Sequence, residues 1–221
     1  MSSLLPLNHD SKSDDGDRGP SSNRESNDNV RVFDALKRLS EALKVELNDK
    51  QSATVLSHYR HPPELVQTAY QMMKEGSMLV HSTSTKYTLV GKIDVIEGSK
   101  IASDLRQGCE LVATGAMLIC SDDSQGMCRS AHKYAKLAAR SMVATTMQLI
   151  QVFAEEAFLV QVIDSGNDIG AQRTGVVWEA CQKLQQMPQG NRNAMRQDLF
   201  QWTSFYLTIM KWYANDHDNL H

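Results

Sequence analysis

Hydrophobic and polar positions alternate along most of this chain with a helical period. From Val32, the residues Val32, Leu36, Leu39, Leu43 and Leu47 recur at steps of three or four and mark one face of a first helix. His61-Pro62-Pro63 closes that region, because proline lacks an amide donor and disfavours helix in the residue before it. Pro62 or Pro63 then suits the first turn of a second helix, from about Glu64 through Leu65, Met72, Met73, Leu79 and Val80. This helix is expected to weaken at Ser82-Thr83-Ser84-Thr85. Residues 86–97, with Tyr87, Leu89, Val90, Ile93, Val95 and Ile96, would allow a short strand. A lone strand has no partner, however, so a loop leading into a helix is expected.

The next helix carries Ile101, Leu105, Gly108, Val112, Gly115 and Ile119 on one face. Gly108 and Gly115 on that face would let another helix approach closely, at a cost of ~1 kcal/mol each in helix propensity. Ser121 to Gly126 reads as a turn. The longest periodic run follows, with two adjacent apolar faces. Ala135, Ala138, Met142, Thr145, Leu149, Val152 and Leu159 form one, and Val143, Thr146, Ile150, Phe153, Ala157 and Val160 the other. A helix apolar on two sides belongs in the middle of a bundle.

After a polar loop at Asp164–Asp168, a helix through Val176, Val177, Ala180, Cys181 and Leu184 stops at Met187-Pro188. Gln189-Gly190-Asn191 turns the chain into a last helix with Met195, Leu199, Trp202, Tyr206, Ile209 and Tyr213 on one face. Gln197, Gln201, Ser204, Thr208 and Lys211 stand opposite. Short turns between long helices predict an all-α, up-and-down antiparallel bundle of about five or six helices over 30–216. Trp202, Phe205, Tyr206, Trp212 and Tyr213 are read mainly as core, with Trp212 and Tyr213 best placed for a partly exposed contact.

Composition changes this picture at one end. Residues 1–29 are rich in Ser, Asp, Asn and Gly. Asp10, Asp14, Asp15, Asp17, Glu25 and Asp28 there stand against Lys12, Arg18 and Arg24. The whole net charge of −3 therefore lies in this segment, which is expected to be a disordered, solubilising tail. The balanced remainder lacks the clustered basic face that nucleic acid requires. No apolar run approaches the ~20 residues of a membrane span. No secretory signal is read at Leu4-Leu5-Pro6-Leu7, and no lipidation box is present. Cys109, Cys120, Cys128 and Cys181 are expected to be reduced thiols in an intracellular protein.

Candidate chemistry is sparse. The cysteines lack metal-ligand spacing, and His58 and His61 have no evident carboxylate partner. A calcium loop over Asp164–Gly170 fails, with Ile169 in place of the required glycine and Gly175 in place of the bidentate glutamate. Phosphate-cradling loops and nucleophile elbows are missing. Glu155-Glu156 and Asp122-Asp123 look like solvated surface and turn caps. We therefore expect no catalytic, cofactor-binding or metal residues and no enzyme activity.

Val177-Trp178-Glu179-Ala180-Cys181-Gln182, followed by Gln186, Pro188, Asn191 and Ala194, resembles the signature of the cyclin-D-binding protein family (GCIP). In this reading Trp178 and Cys181 share the buried face of Val177 and Leu184, Pro188 ends the helix and Asn191 caps the next. Leu105 to Phe153 follows the family pattern more weakly, and residues 32–85 match it only in pattern. Vinculin and talin bundles use a similar tryptophan helix and Pro-Asn turn, which leaves a scaffold adaptor as the alternative. The resemblance implies a helical adaptor of cytoplasm and nucleus that binds D-type cyclins and helix-loop-helix transcription factors and restrains them. Family members continue into an acidic linker and a second helical region. A role housed in that half is not expected of this chain.

Overall fold

A computed structural model describes residues 22–47, 64–90, 95–121, 127–154 and 169–218. All regular elements among them are helices: α1 (Ser22–Glu46), α2 (Glu64–Val90), α3 (Val95–Cys120), α4 (Arg129–Ala154), α5 (Ile169–Gln185) and α6 (Gly190–Asp218). The expected all-α bundle is what the chain forms. His58, His61, the turn residues 122–126, Glu155-Glu156, the continuation of the fourth helix through Leu159 and Val160, and the loop at Asp164–Asp168 lie outside the described residues.

Two boundaries differ from the sequence reading. The tail expected over 1–29 gives way to helix at Ser22, and residues 1–21 lie outside the description. The buried Asn29 then ties α1 to the end of α2, accepting from the Tyr87 hydroxyl at 3.5 Å.

The second difference is at Ser82–Thr85, where α2 does not weaken but runs on to Val90. Its hydroxyls turn inward along their own helix. Thr83 donates to the Leu79 carbonyl, Ser84 to His81 and Thr88 to Ser84. Bonded this way they no longer compete with the helical backbone. Thr88 also meets Thr174 of α5 at 2.5 Å, a buried hydroxyl pair. The loop expected over 86–97 is thus taken up at its ends by α2, which runs to Val90, and by α3, which starts at Val95, with 91–94 undescribed.

The tightest contact is between α2 and α3, and it rests on glycine. A Cβ on Gly108 would lie 2.7 Å from Val80 Cγ2, and one on Gly115 would lie 2.6 Å from the Ala69 carbonyl oxygen. Residues rise along α2 as they fall along α3, so the two helices are antiparallel. Gly76, on the α2 side of the same contact, carries the closest approach of all and was not singled out by periodicity.

As the two apolar faces predict, α4 is the central element, touching α1, α3, α5 and α6. Ala135, Ala139, Met142, Val143, Leu149 and Ile150 are fully buried along it. Leu36 and Leu43 of α1 are buried in the groove between α3 and α4. Val177, Cys181 and Leu184 of α5 fill the groove between α2 and α4. Pairings of Ser77 with Cys181 and Thr88 with Thr174 make α5 antiparallel to α2.

Candidate functional site

The site is built from the end of α5, the elbow after it, and α6. Gln186 and Met187 amides close the last turn of α5 on the Gln182 and Leu184 carbonyls. Pro188, which has no amide hydrogen, then prevents continuation. At Gly190 φ is +77°, a left-handed conformation that glycine adopts without penalty, and its amide donates to the Tyr70 hydroxyl at 3.3 Å. This anchor sets the direction in which α6 departs.

Among the described residues, it is the first turns of α6 that pack on the bundle, against α4. Asn191, expected to cap this helix, sits inside its first turn, where its Oδ1 accepts from the Cys128 amide at 2.7 Å. Ala194 is fully buried, and Asp198 accepts from Lys133 Nζ at 2.9 Å and from the Tyr134 hydroxyl at 3.0 Å. Hydrogen bonds from Ser130 and then Lys133 hold the Asp198 carboxyl below the usual carboxylate range. Desolvation, with Asp198 beside it, pushes the Tyr134 phenol up to about 12. Residue numbers rise together from Cys128–Asn191 to Tyr134–Asp198, so α6 leaves in the direction of α4.

Beyond Asp198 the helix parts from its neighbours. Its 29 residues make a rod of ~43 Å, and from Leu199 to Trp212 every side chain but the half-buried Ile209 is exposed. Trp202 is 68% exposed, and Leu199, Phe200, Phe205, Tyr206, Leu207, Met210 and Trp212 are all more than half exposed. The expectation that Trp202, Phe205 and Tyr206 are core is therefore overturned; Trp212 is exposed as expected, and the side chain of Tyr213 lies outside the described residues. The physical reason is that the spacing of an apolar face shows that a helix has one to bury. It does not show that this bundle supplies the cover. At the base of the rod Met187, Pro188, Arg196 and Phe200 help line a shallow depression of about 440 Å³, with the Arg196 guanidinium 5.5 Å from the Phe200 ring centre.

Trp178, read as core, is another correction. It is 39% exposed and stacks on His81 of α2, with ring centres 5.4 Å apart and planes 25° off parallel. One residue on from Val177, it points about 100° around the helix from that buried face, onto the rim of the α2–α5 seam. Cys181 and Leu184 are buried as expected.

The four cysteines are free. Burial pushes the Cys109 thiol up to about 12 and those of Cys120 and Cys181 up to about 11, so they are packing groups rather than nucleophiles. Among the described residues no group of three or more His, Cys, Asp or Glu is placed to hold a metal ion. Nor is any helix there long and apolar enough to cross a membrane.

A family model described as "Grap2 and cyclin-D-interacting, N-terminal" matches residues 72–205. The matched span runs from the third turn of α2 through α3, α4 and α5 to Phe205, midway along α6. No curated protein and no solved structure matches the chain.

Proposed function

Because this chain belongs to the Grap2 and cyclin-D-interacting, N-terminal family, we propose that it is a non-enzymatic interaction module that binds D-type cyclins and helix-loop-helix regulators. Family membership carries the reading, and the exposed rod of α6 supports it. An amphipathic helix offering Trp202, Phe205 and Tyr206 from a rigid base is the kind of element that docks into an apolar groove. Trp and Tyr are also the residues most often found to dominate binding energy.

The same reading assigns the consequence of binding. The chain has no basic segment suited to contact DNA, so pairing with a helix-loop-helix factor withholds that factor rather than completing a DNA-binding dimer. The module thereby restrains proliferation or transcription and works in cytoplasm and nucleus. A pull-down with purified chain against a D-type cyclin and helix-loop-helix proteins tests this. Retention that falls when Trp202, Phe205 and Tyr206 become alanine is expected, and recovery of none of them sinks the reading. Co-sedimentation with actin filaments instead would place the chain with vinculin-like scaffolds.

A further inference from the structure

We propose that the depression at the α5–α6 elbow is a separate docking site, and that it takes a short acidic stretch of a partner protein. Among the described residues that line it, Arg196 is the one charged group. The other polar side chains there are glutamine and asparagine amides, which carry no charge. No carboxylate in the lining answers the arginine, and no hydrogen bond or ion pair to a described residue occupies it. Its guanidinium instead stands over the Phe200 ring, 5.5 Å from the ring centre. Stacked in this way, the planar group keeps its N–H edge free for an acceptor and loses little freedom when a carboxylate pairs with it.

Charge selects the ligand. Arg192, one turn before Arg196, is exposed as well, and this end of α6 is the positive end of its helix dipole. Asp198, the first acid along α6, is already taken up by Lys133 and Tyr134 on α4. An anion is therefore drawn to the elbow and a cation is repelled. A single arginine among neutral amides in the lining matches the single charge of a carboxylate. Phosphorylated motifs carry close to two charges and are read by arginine clusters.

Shape selects a protein segment over a small molecule. Small-molecule sites are concave and bury most of their ligand, whereas this depression of about 440 Å³ is shallow. Met187, Pro188 and Phe200 set apolar surface beside the arginine, which suits an apolar side chain next to the acid in a peptide. The elbow is also held in shape, by the Gly190 amide on Tyr70 and by Asn193 Nδ2, which donates to the Gln189 carbonyl at 3.1 Å. Trp202 points about 200° round the helix from Phe200, so the site stands apart from the face proposed to dock in a groove.

Titrating the isotope-labelled whole chain with the blocked peptide acetyl-Leu-Glu-Leu-Glu-amide tests the proposal. Nuclear magnetic resonance follows the Arg196 Nε–H and the side-chain amides of Gln186, Gln189, Asn193 and Gln197. Saturable shifts of these groups are expected. The same peptide with glutamine for glutamate should bind about 10-fold or more weakly, and Arg196→Gln should weaken the glutamate peptide by about as much. Arg196→Lys should fall between, since it keeps the charge and loses the fork. No saturable shift, equal binding of the two peptides, or binding indifferent to Arg196→Gln overturns the proposal. A phosphoserine peptide that binds about 10-fold tighter than the glutamate one also overturns it, by making the site a reader of phosphate. If Asp10, Asp14, Asp15 and Asp17 changed together to asparagine move the Arg196 signal, the occupant is the chain's own acidic segment, and the partner peptide is ruled out.

Discussion

A Cβ built on Gly76 of α2 would stand 2.5 Å from the carbonyl oxygen of Gly108 on α3. The obstacle is backbone, which cannot swing aside as a side-chain tip can. Gly76→Ala would normally gain up to ~1 kcal/mol in helix propensity. Here it must instead push the two most closely packed helices apart, and a net loss of ~1–3 kcal/mol is expected. Gly175 on α5 is the control, with nothing within 4 Å of its would-be Cβ. Gly175→Ala should stabilise by ~0.5–1 kcal/mol. Urea denaturation of both variants checks the opposite signs.

Trp178 and Leu105 make a second contrast. Leu105 has no exposed surface, so Leu105→Ala should cost ~2–5 kcal/mol through lost burial and a cavity. Trp178 sits on the rim against His81, and Trp178→Ala should cost only about 1 kcal/mol, the scale of one aromatic stack. Equal midpoints in a denaturation series would show that Trp178 is structural after all.

The particular residues explain what was legible beforehand. Leu36, Leu43, Leu105, Val112 and Ile119 are buried where their spacing put them, because a helix presents every third or fourth residue to one side. Gly108 and Gly115 were legible because a glycine on an apolar face costs helix propensity unless something needs the space. Gly76 was not, since its neighbours Glu75 and Ser77 gave it no apolar context. The Ser82–Thr85 run misled because hydroxyl side chains break helices only when they bond elsewhere than to the preceding turn. Trp178 differs because α5 buries Thr174, Val177, Ala180, Cys181 and Leu184 in the seam, and a residue one step on from Val177 points to its rim. On α6, Phe200 and Leu207 fall off the main apolar stripe. A helix apolar beyond one face was the available sign that its apolar residues are not all core.

The cysteines should be silent in the folded protein. Thiolate is the reactive form, and Cys109, Cys120 and Cys181 have their thiols raised to about 11 or 12 by burial. At about pH 8, well below those values, a disulfide reagent should leave all three unmodified for as long as the bundle stays folded. Adding urea should release them together with the loss of helix. Fast modification of Cys109 in the native state would mean that the α3–α4 interface opens independently.

The dock of α6 should be sensitive to pH at both ends, for different reasons. The Asp198 carboxyl is depressed by Ser130 and Lys133, so its contribution is present above the ordinary carboxylate value near ~4 and is lost as pH falls through the lower folded value. The Tyr134 phenol is raised, so its contribution is present below ~10 and is lost as pH climbs towards about 12. Between those limits α6 should stay seated on α4. Fluorescence anisotropy of Trp202 and Trp212, with Trp178 replaced by phenylalanine, reports the rod without the rim. Anisotropy should fall on both the acid and the alkaline side, well before helix content is lost. Asp198→Asn should lower the plateau and flatten the acid limb, because the group that titrates there is gone. Tyr134→Phe should flatten the alkaline limb and leave the acid one in place. A plateau that survives Asp198→Asn unchanged would mean that Ala194, Asn191 and the Gly190–Tyr70 anchor hold the helix without help from the charge.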